Sequence, residues 1–140
     1  MNIKLEHTLS VAHYNALRHA VGWSVLEERQ AARGLKNSYY VVVAQDGDKV
    51  VGMARVISDG GYVALISDVI VRPEYQGYGI ASMMLEDILR FIEVELAGNS
   101  QMVMVNLVAA KGKEALYKKF GFIERPNEDA GAGMTLYFNK

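Results

Sequence analysis

The chain has 140 residues, and its 15 lysines and arginines against 16 aspartates and glutamates give a formal net charge of −1, a balance that speaks against a nucleic-acid partner. It contains no cysteine, which excludes disulfide scaffolds, thiolate metal sites and a cysteine nucleophile together. The opening MNIKLEHTLS lacks the apolar run of a signal peptide, and no segment reaches the ~18 apolar residues of a membrane span, so the expectation is one domain, residues 1–140, in a soluble cytoplasmic protein with no membrane partner.

The first third reads as helical. Ser10 is placed to cap a helix in which Tyr14, Leu17 and Val21 recur at helical spacing. SVLE, Ser24 to Glu27, has the capping-box pattern for a second helix that Gly34 would stop. The period then changes. SYYVVVAQ (38–45) and KVVGMARVIS (49–58) are rich in β-branched and aromatic residues, with the hairpin signal DGD between them. DGG (59–61) turns the chain into a third strand, YVALISDVIV (62–71), ended by Pro73. From Ile80 to Leu96 an apolar stripe at Ile80, Met84, Ile88, Ile92 and Leu96 predicts a helix packed on a sheet, stopped by AGN (97–99). QMVMVNLVA (101–109) reads as a buried strand, GKEALYKKFGF (112–122) as a short helix closed by Gly121, and MTLYFN (134–139) as a last strand.

The turn YQGYGIA, between the third strand and the long helix, carries the chemistry. Free amides at a helix N-terminus, aided by the helix dipole, attract an anion. Gly77 and Gly79 have no side chain to hold a ligand away from the backbone. The plainer reading is a strand-to-helix turn that uses glycine for positive φ. A P-loop would need Gly-Lys-Ser/Thr, which is absent. A dinucleotide fingerprint would need a third glycine where Ser82 stands, and an acid closing the next strand, which ends NLVAA.

QGYGIA (76–81) matches Gln/Arg-x-x-Gly-x-Gly/Ala, and DVIVRPEYQGYGIASMMLEDIL resembles the strand, pyrophosphate loop and helix of the GCN5-related N-acetyltransferases. ALYKKFGF (115–122) resembles that family's Tyr-x-x-x-Gly-Phe segment, and the order of upstream elements is similar. The resemblance extends over about residues 1–140. It implies a single-domain α/β acyl-CoA N-acyltransferase fold: a mixed, mostly antiparallel sheet with helices on both faces and a splayed central strand pair. The implied function is direct acetyl transfer from acetyl-CoA, as cosubstrate, to a primary amine, with no metal. By resemblance the main chain of Val69, Ile70 and Val71 pairs with the pantetheine arm. An amide there polarises the thioester carbonyl. Gln76 and the amides of Gly77, Tyr78, Gly79, Ile80, Ala81 and Ser82 hold the pyrophosphate. Tyr117 matches the tyrosine that faces the sulfur, and the resemblance implies a general acid there; an amphipathic core tyrosine is the other reading.

Two departures stand out. Glucosamine-phosphate acetyltransferases resemble the stretch around Asp68 but have Glu-Asp where this chain has Ser67-Asp68, which puts that substrate in doubt; and Ala110 replaces an asparagine many members carry. Asp68 interrupts an apolar strand, and strict alternation puts it on one face with Ile66 and Ile70. It reads either as a base or ammonium anchor, or as a structural acid bonded near the splay. His7, His13 and His19 lack the i, i+3 or i+4 spacing of a shared metal site. Trp23 reads as packing first, with substrate contact as the alternative. Lys111, Lys113, Lys118 and Lys119 read as a solvated face, or as one lysine reaching a phosphate of coenzyme A. The acceptor expected is a small-molecule amine. A protein amine, a non-catalytic acyl-CoA-binding or regulatory module, and more distantly a Rossmann-type nucleotide binder stay open, as does a homodimer.

Overall fold

A computed structural model describes all residues, 1–140. Its two compact units are Met1–Leu107 and Val108–Lys140. The larger unit is built on a five-stranded sheet, in the order β1 (Ile3–Glu6), β2 (Tyr40–Asp46), β3 (Lys49–Ser58), β4 (Val63–Val71) and β5 (Met104–Leu107). All neighbours are antiparallel except β4 and β5. The three central strands lie where the β-branched and aromatic runs predict them. β1 was not foreseen, because its alternation IKLE is only four residues long.

Helix α1 (Val11–Ala20) begins where Ser10 Oγ accepts from His13 N at 3.1 Å, as its sequence predicts. Helix α2 (Glu28–Lys36) departs from expectation at both ends. Its cap is Glu27, whose carboxylate accepts from Gln30 N at 3.0 Å, so Ser24 does not form the capping box. Gly34 lies inside the helix, because its last turn is closed instead by Asn37 N–H donating to Arg33 O.

Helices cover both faces of the sheet. Tyr14, Leu17 and Ala31 from α1 and α2 pack with Val43, Met53 and Ile70 on one face. The alternate residues Val42 and Ala54, cross-strand partners, are buried on the other. That face meets α3 (Ile80–Phe91), which buries Ile80, Met84, Leu85 and Ile88, each contributing roughly 1.5–3 kcal/mol. Gly52 makes the close approach possible: a Cβ there would lie 2.9 Å from Ile70 O and 3.3 Å from Met84 Cε. Tyr40 stacks on Phe91 at 3.9 Å between centroids and donates its hydroxyl to Asp87 Oδ2 at 2.7 Å. The predicted helix continues past Phe91 as a π-helical segment, Ile92–Ala97, which buries Ile92 and Leu96 before Gly98 ends it.

The smaller unit contains one short helix, α4 (Glu114–Lys118). Gly121, at φ 91°, turns the chain after it. The expected last strand is absent: residues 134–139 form no ladder, and Met134, Leu136, Tyr137 and Phe138 are exposed. β propensity alone does not make a strand without a paired neighbour, and this segment pairs with none in the chain.

Candidate active site

The glycine turn is a braced cradle of free amides. After β4, Arg72 is pinned to β3 by Arg72 N donating to Val51 O and Nε donating to Val50 O, both at 2.8 Å. A 3₁₀ turn, Pro73–Tyr75, follows, and Tyr75 donates its hydroxyl to Asp46 Oδ2 at 2.7 Å. Gln76 Nε2 donates to Val71 O at 2.9 Å, tying the loop to the end of β4. Gly77 and Gly79 sit at φ 86° and 80°, where other residues would be strained, and nothing lies within 4 Å of a Cβ at either position. No side chain caps α3, and the amides of Gly77, Tyr78, Gly79, Ile80, Ala81 and Ser82 make no hydrogen bond within the chain. Six successive free donors at a helix start suit an anion with several oxygens.

β4 and β5 pair only from Val63–Met104 to Ile66–Leu107. Beyond that β4 runs on through Val69, Ile70 and Val71 with no ladder partner on its β5 side. The divergence starts at a bulge. Against β3, the register moves from Arg55–Ser67 to Met53–Ile70, so β4 carries one extra residue. Asp68 stands in that bulge at φ 53°, a left-handed conformation that aspartate adopts more readily than most residues. The extra residue breaks strict alternation. Ile66 pairs with Val56 and Ile70 with Met53, three positions apart, so Ile66 and Ile70 lie on opposite faces. Asp68 sides with Ile70, towards α1.

Both oxygens of Asp68 are engaged. Oδ1 accepts from Arg18 Nη1 at 3.2 Å, and Oδ2 accepts from Tyr14 Oη at 2.5 Å and Arg55 Nε at 2.7 Å. The side chains of Asp68, Arg18 and Arg55 are only 10%, 16% and 14% exposed. Burial first, and then the bond to Asp68, pushes the Tyr14 phenol up to about 12. Burial alone would lower the Arg55 pKa, but its bond to Asp68 and the neighbouring charges leave it raised. Two guanidinium groups around one carboxylate leave an excess of positive charge, which opposes capture of an ammonium group. The geometry favours the structural one of the two readings of Asp68. Sequence reasoning missed its partners, although a signal was available: Arg55 interrupts an apolar strand one strand away, and Arg18 follows Tyr14 by one helical turn. Arg18 also reaches the loop after α1, with Nε donating to Ser24 O at 2.6 Å and its guanidinium 5.6 Å from the half-exposed Trp23 ring.

In the smaller unit Tyr117 is buried, edge-to-face with Phe122 at 6.1 Å. Burial raises its pKa above the ordinary tyrosine value. Its hydroxyl makes no hydrogen bond in the chain, yet it is not sealed off from the surface. Lys118 Nζ pairs with Glu124 at 3.0 Å, both exposed, and Lys111 and Lys113 are exposed as well.

A strand feeding a cradle of amides, beside a strand pair that parts at a bulge, is the frame of an acyltransferase. The sequence model of the acetyltransferase (GNAT) domain matches residues 37–124, and the chain belongs to that family. An N-acetyltransferase of Pyropia yezoensis named ycf52, itself uncharacterized, is 31% identical over 84% of this chain and 66% of its own length. A histone acetyltransferase named TAP1 from Glycine max is 30% identical over 94% of this chain, which spans 58% of that protein. A crystal structure from meticillin-resistant Staphylococcus aureus, titled a "probable acetyltransferase" of unknown function, is 34% identical, with a TM-score of 0.86 over 98% of this chain and all of its own. The chain is thus an N-acetyltransferase with the GNAT fold, and no helix in it is long and apolar enough to cross a membrane.

Proposed function

We propose that residues 1–140 work as one acetyl-CoA-dependent domain that acetylates the primary amine of a small molecule, in the cytoplasm. The observation that carries the donor is the run of six free amides, Gly77 to Ser82. Acetyl-CoA, when bound, supplies an acetyl thioester as the acyl donor. The residues fit it in two places. The amides of Gly77 to Ser82 match its pyrophosphate, and the open Cβ positions of Gly77 and Gly79 let the backbone approach. The free side of Val69, Ile70 and Val71 matches the amide-bearing pantetheine arm as an added strand. Gln76 acts on the loop through its bond to Val71 O, holding the amides in register with the strand.

Chemistry then needs little from side chains. A main-chain amide of β4 polarises the thioester carbonyl. A neutral amine nitrogen forms the new C–N bond while the C–S bond breaks. Tyr117, kept protonated by burial, gives the departing sulfur its proton, and the amine's surplus proton passes to water. Asp68 holds the bulge, with Arg18 and Arg55 neutralising it and joining α1 and β3 to the point where β4 leaves β5. The name of the soybean relative keeps a protein amine as the second acceptor class.

The test is an acetyl-transfer screen across polyamines, amino sugars, arylalkylamines, amino acids and lysine peptides. Because the chain has no cysteine, a thiol reagent reads released coenzyme A with no protein background. Amine-dependent thiol release identifies the acceptor class. Release with peptides alone moves the acceptor to protein. Tight binding of acetyl-CoA without release by any amine points to a binding module.

A further inference from the structure

We propose that Arg18, beside Trp23 and the bulge at Asp68, forms a subsite for an anionic group on the acceptor, so that the preferred acceptor is an amine that also carries a carboxylate. The proposal rests on the reading that the chain acetylates a small-molecule amine, and it names the class of that molecule. With the donor along Val69 to Val71 and its diphosphate at the start of α3, the face left for the amine is the one towards α1. Asp68 turns to that face, where it bonds Tyr14 and Arg18.

The charge there is positive. Arg18 and Arg55 each bond one oxygen of Asp68, two cations to one anion. Ser67, which pairs with Arg55 across the strands, adds no charge. The two arginines differ in what they have left. Arg55 is turned inward, with Nη1 donating to Gly34 O at 3.3 Å and to Ser38 Oγ at 3.2 Å. Arg18 is anchored by Nη1 on Asp68 and Nε on Ser24 O, while its Nη2 has no partner in the chain and is not sealed from solvent. A guanidinium held in this way keeps oriented N–H donors for an incoming carboxylate. The wall beside it is preset as well. Trp23, 36% exposed, lies 5.6 Å from the Arg18 guanidinium. Its loop is fixed at both ends: Trp23 N donates to Arg18 O at 2.9 Å, and Asn15 exchanges two hydrogen bonds with the Leu26 backbone at 2.9 and 3.0 Å. An apolar ring next to a free cation lowers the local dielectric and strengthens the bond to an anion. A second ammonium group on the acceptor would be repelled by the same charge.

The test uses pairs of amines that differ only in charge: β-alanine against its amide, and γ-aminobutyrate against its amide. Per neutral amine, kcat/KM of the wild type should be about 10-fold or more higher for the acid at low ionic strength. The preference should shrink between about 0.01 M and 1 M salt, as the Debye length falls from about 30 Å to 3 Å. Arg18→Gln, shown to be folded by circular dichroism, should bring the pair within about two-fold, because it removes the charged donor. A second measurement needs no turnover. Trp23 is the only tryptophan, so its fluorescence reads binding of phenylpropionate against phenylpropionamide without acetyl-CoA, and the acid should bind about 10-fold more tightly. Preferential binding of the acid with no amine acetylated would fault the transfer reading and leave the anion subsite standing. Transfer with acid and amide treated alike, equal binding of the two probes to the wild type, or a folded Arg18→Gln enzyme that keeps the full preference would overturn the proposal.

Discussion

Tyr117 owes its proposed role to a mismatch between its ring and its hydroxyl. The ring is buried against Phe122, while the hydroxyl has no partner in the chain. A general acid must keep its proton at the working pH, and burial, the sole cause of the raised pKa, ensures that. Tyr117→Phe should lower kcat by roughly 10²-fold with little change in melting temperature. The high-pH limb of the wild-type kcat profile should fall above the ordinary tyrosine pKa of about 10 and vanish in the variant. An unchanged kcat, with chemistry shown to be rate-limiting, would leave Tyr117 a packing residue. Asp68 should behave oppositely. An asparagine there cannot accept from Tyr14, Arg18 and Arg55 together, and removing one partner of a buried pair costs about 3–5 kcal/mol. Slight exposure of the side chains brings the expectation for Asp68→Asn nearer 2–4 kcal/mol by denaturant unfolding. The remaining folded enzyme should turn over within a few-fold of wild type; normal stability with a kcat/KM loss near 10²-fold would restore the catalytic reading. Tyr14 adds a pH test. Its folded pKa of about 12 exceeds the unfolded value of 10, so the folded state holds that proton more tightly. Its contribution is fully present below pH 10 and is lost as pH rises towards 12, by about 2–3 kcal/mol in all. In Tyr14→Phe the alkaline loss of stability between pH 10 and 12 should shrink by that amount.

At the scale of elements, the glycine turn keeps its shape because three restraints fix a loop whose own amides stay free: Arg72 on β3, Tyr75 on Asp46 and Gln76 on Val71. Gly79→Glu should abolish binding of coenzyme A, measured by calorimetry. It adds negative charge where the diphosphate belongs and forces a side chain into the left-handed region at φ 80°. The fold should survive, because nothing lies within 4 Å of that position. Binding equal to wild type would reduce the loop to a turn. This cradle was legible in the sequence, since Gly77, Gly79 and the helical stripe from Ile80 are local signals. So were the three central strands and Ser10 at the cap of α1. What escaped depended on tertiary partners. β1 is too short to signal itself, and the bulge at Asp68 exists only in register with β3. The same bulge turned Ile66 away from the face that strict alternation assigned it. The cap of α2 fell to Glu27 because Ser24 gives its carbonyl to Arg18 and leaves its side chain outside the first turn. MTLYFN has the residues of a strand but pairs with no strand of the chain, and no pattern within the segment could reveal that.

For the whole molecule, the question is whether the donor is felt by all 140 residues. The family match, 37–124, crosses the boundary between the units at Leu107 and Val108. The residues proposed for the donor fall on both sides of it: the amides of Gly77 to Ser82 in the first, Tyr117 in the second. If the chain works as one domain, a ligand that binds only the folded state should stabilise both units together. At a concentration about 100-fold above its Kd, acetyl-CoA adds about 2.7 kcal/mol, which for a chain of this size raises Tm by roughly 5–10 °C. Coenzyme A should do nearly the same, because the proposed anchor is the pyrophosphate and not the acetyl group. NAD at equal concentration should produce no shift, although it too carries a pyrophosphate, since it lacks an arm to pair with Val69, Ile70 and Val71. The single tryptophan, Trp23, reports on the first unit, and amide hydrogen exchange at Tyr117 to Phe122 reports on the second. One transition moved equally in both probes supports a single N-acetyltransferase domain over residues 1–140. Protection confined to residues before Val108 would confine donor binding to the first unit and remove Tyr117 from the proposed mechanism.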